Sequence, residues 1–214
     1  MDDTGGTRSA YNWVTEKAQS TDPAHAVNAL FVYRLPFGKD QRWGGGNAIV
    51  RAVAGNWQLA GITTYRAAGL LGSVLAACNL PNAGSCYASY NPSFSGPVRI
   101  NGDYGSGDLL GTNAPAFIDK NAFVSPPAFT YGSTPRTGAF GLHGPSNANQ
   151  NVSLRREFQI HEAWRFAFQV DAFNVFNWVK FAAPAINITS ANFGKITAQS
   201  NSPRVVQFNA RIVF

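Results

Sequence analysis

Segments of about ten residues that alternate with a period of two constrain this chain most. Residues 26–35, AVNALFVYRL, put Val27, Ala29, Phe31, Tyr33 and Leu35 on one face and Asn28, Leu30, Val32 and Arg34 on the other. Residues 56–66 put Trp57, Leu59, Thr63 and Tyr65 against Gln58, Thr64 and Arg66. Residues 151–160 put Val152, Leu154, Phe158 and Ile160 opposite Ser153, Arg155, Glu157 and Gln159, with Arg156 interrupting the apolar face. Residues 163–173 put Trp164, Phe166, Phe168, Val170 and Ala172 opposite Arg165, Gln169 and Asp171. The last ten residues put Val206, Phe208, Ala210, Ile212 and Phe214 opposite Val205, Gln207, Asn209, Arg211 and Val213. Phe193 to Gln199 is a shorter candidate strand. Side chains alternate in this way along strands, so the expected fold is all-β and antiparallel.

Composition supports strands over the alternatives. Only 13% of the 214 residues are charged, about half the usual share, while 13% are aromatic. That excludes disorder of the whole chain, which needs high charge and few aromatics. The scarcity of Lys and Glu speaks against a helical bundle or coiled coil. The two-faced strands have two readings. In a soluble sheet the apolar face meets a core and the polar face meets water. In an outer-membrane barrel the apolar face meets lipid, the polar face meets the lumen, and aromatics gather at both interfaces. Trp164 and Phe176 near opposite ends of one strand, and an aromatic last residue on an alternating strand, favour the barrel.

The middle, 76–147, lacks continuous periodicity and holds most of the Pro with many Gly, Asn and Ser. A loop of that length is uncommon in a small compact domain and suits a large extracellular excursion. It carries aromatics that offer a binding surface or form the loop's own small core: Tyr87, Tyr90, Phe94, Tyr104, Phe129 and Tyr131. Cys78 and Cys86 flank turn-forming residues. Their spacing does not fit a zinc site, and a local disulfide formed in an oxidising compartment is the better reading.

No signal peptide is legible in MDDTGGTRSAYNW, and the longest apolar stretch, AAGLLGSVLAAC, is too short for a helical membrane span. The net charge is +6, but the Arg and Lys residues are scattered and match no nucleic-acid motif, so no nucleic-acid partner is expected.

Catalytic, cofactor and metal sites are not expected. His25, His143 and His161 are widely spaced, and no nucleophile elbow is present. WGGGN, which reads as a turn between the first two strands, and DYGSGD lack the Lys and following helix of a phosphate loop. Asn101, Asp103 and Asp108 do not follow calcium-loop spacing. His161-Glu162 reads as a tight turn between strands, and Asp171, Arg165 and Gln169 as the lining of a lumen or a solvated sheet.

Five ordered blocks carry a family resemblance: YRLPFGK (33–39), GNWQLAGI (55–62), FVSPPAFTYGSTPRTGAFGLHGPSNANQNVSLRREF (123–158), FQVDAFNVFNWVKF (168–181) and FGKITAQSNSPRVVQFNARIVF (193–214). They resemble the C-terminal end of Oar-like TonB-dependent receptors of the Gram-negative outer membrane, a carboxypeptidase-regulatory-like family. The resemblance implies a large barrel filled by a plug that couples to the TonB system. It implies uptake of a bulky ligand such as an oligosaccharide or metal chelate. It also implies a terminal strand read by the barrel-assembly machinery, here Val206, Phe208, Ala210, Ile212 and Phe214. Block 193–214 would be the terminal hairpin. Asp22 and His25 resemble the family's Asp-x-x-His.

At most six or seven strands are countable, fewer than the eight of the smallest membrane barrels. Plug, TonB box and export signal are not legible. The expectation is therefore a partial barrel over 1–214, with a long loop at 76–147 and C-terminal strands at 148–214. It would be a piece of a larger gene product beginning at an internal Met and placed in the outer membrane with its loops at the cell surface. Its expected partners are outer-membrane lipid, the assembly machinery and, through the absent plug, TonB. Open sheet edges would favour association. The alternatives are a secreted soluble β-rich module that binds or hydrolyses a polymer through aromatic loops, and an adhesin-like surface fragment.

Overall fold

A computed structural model describes residues 22–37, 42–43, 46, 48–77, 86–100, 115–160 and 164–214. The chain divides into two compact units. One comprises 26–66, 147–179 and 201–214; the other comprises 67–146 and 180–200 together with the residues before 26.

The first unit is a five-stranded antiparallel sheet, ordered β1-β2-β5-β6-β7. Its strands are β1 (Ala26–Arg34), β2 (Trp57–Arg66), β5 (Asn147–Gln159), β6 (Arg165–Phe173) and β7 (Val205–Val213). β1, β2, β6 and β7 lie where period-two alternation places them, and β5 begins at Asn147, four residues before the alternating segment 151–160. The register joins like faces into continuous rows. One row is Tyr33, Leu59, Leu154, Val170 and Phe208, and the next is Trp57, Arg156, Phe168 and Ala210. On the opposite face run Val32, Ala60, Ser153, Asp171 and Gln207, then Arg34, Gln58, Arg155, Gln169 and Asn209. β1 and β7 are the two edges of this open sheet.

The register also fixes which connections share an end. Ala26, Arg66, Asn147, Phe173 and Val205 lie at one end of the sheet, and the long connections 67–146 and 174–204 leave from there. The connections 35–56 and 160–164 leave from the other end. The ladder is staggered there: β2 stops at Trp57 opposite Arg156, while β5 continues to Gln159. Such stagger accompanies strand tilt in barrels.

The connection 35–56 holds a short helix, α1 (Ala48–Ala54), which the sequence reading did not anticipate between β1 and β2. Asn56, in the left-handed region at φ 60°, turns the chain from α1 into β2.

The second unit contains most of the long middle segment. It is poor in regular structure, with only the two-residue strands β3 (Ser89–Tyr90) and β4 (Phe123–Val124) and two short 3-10 turns among its described residues. Even so, it packs a core of its own. Val74, Phe117, Ile118, Phe123, Leu142, Ile188, Phe193 and Ile196 are buried together with Ala88, Ala122 and Ala139. Single bridges tie distant segments to one another: Leu75 to Tyr87 and Asn187, Leu70 to His143, and Ala116 to Lys195.

The candidate strand Phe193 to Gln199 belongs here and is not a ladder strand. Phe193 and Ile196 are buried in this core, and the backbone bonds of 194–198 are dispersed: Gly194 donates to Ala185 and accepts from Phe117 and Ile118, Lys195 accepts from Ala185, and Ala198 accepts from Ala182. The expected terminal hairpin over 193–214 is therefore a single strand, β7, that follows a core segment.

Candidate functional site

Among the described residues, much of the apolar face of the sheet is exposed. Val27, Tyr33, Trp164, Val206, Phe208, Ile212 and Phe214 are all exposed, Phe208 at 69% and Phe214 at 87%. The buried hydrophobic residues other than Cys86 form one cluster within 71–196, and none of them is a residue of the five-stranded sheet. A soluble sheet of this kind would bury that face, because monomeric soluble proteins rarely leave large contiguous apolar patches bare. The aromatics mark the two ends of the face. Trp164 meets Phe214 with ring centroids 5.6 Å apart at one end, and Phe176 meets Trp178 at 4.9 Å at the other. At about 3.3 Å per residue and a tilt of ~40°, β6 with its flanking residues would project to roughly 25 Å, the height of an outer-membrane apolar band.

Arg156 is the one charged residue in the rows of this face, and it is only 6% exposed. Its guanidinium lies 4.1 Å from the Phe158 ring centroid and 5.7 Å from that of Trp57. Its Nη1 donates to the Val53 carbonyl at 2.5 Å, and the Trp57 indole Nε1 donates to the same oxygen at 2.9 Å. The Trp57 and Phe168 rings meet edge to face at 6.3 Å across this row. The interruption in the alternation is thus a cation held under the C-terminal end of α1, where carbonyl dipoles favour positive charge.

The polar face carries a network centred on Asp171. Gln169 Nε2 donates to its carboxylate at 2.8 and 2.9 Å, and Asn209 Nδ2 donates at 2.9 Å from the neighbouring strand. Ser153 hydrogen-bonds to it as well, and Gln207 Nε2 reaches Asn209 Oδ1 at 3.3 Å. Arg155 pairs with Glu157 on the same face. The carboxylate's partners come from three strands, and its role in the sheet is to knit them together.

The turn after β6 explains why Asn recurs in DAFNVFN. Asn174 and Asn177 both adopt left-handed backbone, φ 51° and 54°, which Asn tolerates better than most residues. The Asn174 amide nitrogen donates to the Trp178 carbonyl at 2.9 Å and its Oδ1 accepts from the Trp178 N–H at 2.9 Å. It also reaches the Ser202 carbonyl at 3.3 Å, and Asn177 Oδ1 accepts from the Arg204 N–H at 2.9 Å. These bonds join the end of β6 to the start of β7.

In the second unit the loop aromatics separate into two sets. Tyr90 and Phe94 pack against the core, and the Tyr90 ring lies 4.4 Å from that of Phe140. Burial pushes the Tyr90 hydroxyl above its ordinary value, partly offset by a hydrogen bond with the Phe140 backbone. Tyr87 is half-buried. Phe129 is 77% exposed and Tyr131 57% exposed. Phe129 holds φ at 61°, an unusual conformation for a bulky residue. Tyr104 lies outside the described residues.

The sequence matches the outer membrane beta barrel domain family over residues 2–207. The chain belongs to that family. No curated protein and no solved structure matches it.

In outer membrane barrels an exposed aromatic face is characteristic of the lipid-facing side and a polar face of the inner one. The family match favours the barrel over the soluble-sheet reading, in which the apolar face meets a core. Val206, Phe208, Ala210, Ile212 and Phe214 lie together on the apolar side of edge strand β7. Asp171 and Gln169 meet as expected from their spacing, whereas Arg165 lies rows away opposite Gln159. His143 Nδ1 lies 3.0 Å from the Ala68 carbonyl, in the second unit. His161-Glu162, the segment 101–114 and Cys78 fall outside the described residues. Cys86 is buried, and no described cysteine is a free thiol.

The Arg156–Val53 link, the Asn174 clasp and Phe140 went unrecognised in the sequence. Arg156 was visible as a break in alternation, and the paired Asn residues as part of a family block. Phe140 carried no signal.

Proposed function

We propose that this chain is the C-terminal barrel segment of an Oar-like TonB-dependent receptor that takes up a bulky ligand such as an oligosaccharide or metal chelate. The observation that carries the reading is the sheet with a bare aromatic face, ending in β7, together with the five ordered sequence blocks. The long connections 67–146 and 174–204 leave one end of the sheet and the short connection 160–164 leaves the other. Outer-membrane barrels keep longer loops outside and short turns in the periplasm, so in this reading the connections 67–146 and 174–204 are cell-surface loops. Phe129 and Tyr131 are then the aromatics available to a ligand, while Tyr90 and Phe94 hold the unit together. A Cys78–Cys86 bridge would pin the segment that carries Tyr87. β7 is the strand offered to the assembly machinery. The polar inner face carries no catalytic arrangement in this reading, and the role is transport.

Deleting the gene and following uptake of candidate oligosaccharides and metal chelates, with and without a working TonB system, tests the proposal. One ligand should be lost in both backgrounds that lack either component. Uptake unchanged in the deletion strain, or lost in it but independent of TonB, contradicts the receptor reading.

A further inference from the structure

The connection 35–56 carries the only α-helix among the described residues, and the barrel reading gives it no role. α1 reads AIVRAVA, with no acidic residue in its first turn. A helix of seven residues does not persist alone in water, so something outside it must hold it. One side is held by the sheet: Arg156 and Trp57, both on the apolar face, donate to the Val53 carbonyl. The C-terminal end of the helix is therefore fastened to side chains of the apolar face. Two of its described side chains are apolar and exposed. Ile49 is 73% exposed and Val53 67% exposed, and their spacing of four places them on one helix face.

Charge explains why such a cover exists. A cation on the lipid side of a barrel costs roughly 2–4 kcal/mol at the midplane. Arg156 is screened by the helix terminus and by two aromatic faces, and whatever covers it on the lipid side must itself present apolar atoms outward. Ile49 and Val53 do this. Just before the helix, Trp43 is 51% exposed, packs on Phe37 at 5.6 Å, and carries the Arg42 guanidinium 5.4 Å from its ring centroid. Exposed Trp and Arg beside an apolar helix face suit the headgroup level, where the ring is half-buried and the cation meets phosphate.

We propose that α1 is an in-plane interfacial helix. Ile49 and Val53 would dip into the phospholipid leaflet at the short-turn end of the sheet, Arg42 and Trp43 would sit at the phosphates, and Arg156 would fasten the helix to the barrel wall. The occupant is phospholipid, because the side chains that hold the helix, Arg156 and Trp57, belong to the lipid-facing rows, and the neighbouring exposed Trp43 and Arg42 suit the headgroups. The inference rests on that surface facing lipid.

The test uses the full chain in vesicles of phosphatidylcholine and phosphatidylglycerol, with its native cysteines oxidised and a spin label at I49C or F168C. Collision with oxygen and with a polar nickel chelate reports the depth of each label. The account expects both labels to favour oxygen, with residue 49 about 5–10 Å below the phosphates. Adding Arg156→Gln should shift residue 49 toward the polar reagent and leave residue 168 unchanged. Residue 49 in water with residue 168 in lipid overturns the helix proposal alone. Both labels in water overturns the lipid-facing surface as well. Residue 49 shielded from both reagents means that a second protein surface covers the helix, which also overturns the proposal.

Discussion

Arg156 and Val53, 103 residues apart in sequence, are joined by a guanidinium-to-carbonyl hydrogen bond of 2.5 Å on the apolar face of the sheet. The bond ends α1 and hides a cation. Arg156→Lys keeps the charge but loses the planar fork and its stacking on Phe158, which should cost about 1 kcal/mol. Arg156→Glu sets a carboxylate against helix-terminal carbonyls and should cost about 3 kcal/mol or more. Urea midpoints of the chain in lipid vesicles measure both. Equal midpoints for Arg, Lys and Glu would mean that the guanidinium does no structural work.

The Asn174 clasp separates two effects. Asn174→Ala removes the side-chain bonds to Trp178 and Ser202 and places a non-glycine residue at φ 51°. At about 1 kcal/mol for each of the three bonds and ~1 kcal/mol of backbone strain, the expected loss is about 4 kcal/mol. Asn174→Gly removes the same bonds without the strain and should lose about 1 kcal/mol less. If the two variants are equally stable, the left-handed turn carries no cost.

The faces of all five sheet strands were legible because alternation is a local property of the chain. The same rule exposed Arg156 as an exception, although its partner could not be named: Val53 is remote in sequence and lies in a helix without a capping signal. The core of the second unit was illegible for a related reason. Val74, Phe117 and Ile188 follow no common period and meet only through long-range packing. Phe193 and Ile196 imitated a strand because two apolar residues in a short segment fit several patterns. Among the loop aromatics, composition could not tell the buried Tyr90 and Phe94 from the exposed Phe129 and Tyr131.

Phe117 is almost fully buried in the second unit, under the Arg99 guanidinium at 4.8 Å. Phe117→Ala should cost about 3–5 kcal/mol within that unit. Hydrogen exchange should rise across the described parts of 67–146 and 180–200 while β5 and β6 keep their protection. Equal loss of protection in β5 and β6 would show that the two units fold as one.

Gly194 has φ 73°, and a Cβ there would strike the Ile118 carbonyl. Gly194→Ala should therefore destabilise the same unit by at least about 1 kcal/mol, through backbone strain and the displaced carbonyl. An unchanged exchange pattern in this variant would contradict the packing of 180–200 into the core.

Phe129 is exposed and strained, so its ring contributes little to folding. Phe129→Gly should raise local stability by up to about 1 kcal/mol and, on the proposed receptor reading, should with Tyr131→Ala weaken capture of the ligand. Exchange rates and ligand uptake measured on the same variants separate the effects. A loss of stability in Phe129→Gly would assign the ring to packing.

The central claim is that one face of the sheet meets lipid and the other meets water. Spin labels placed singly along β6, from Arg165 to Phe173, test it most directly in the full chain reconstituted in vesicles. Labels at Phe166, Phe168, Val170 and Ala172 should collide mainly with oxygen, and those at Ala167, Gln169 and Asp171 mainly with the polar reagent, in strict alternation. Shielding of the first set from both reagents, as in a packed soluble core, or the absence of any alternation, would contradict the account.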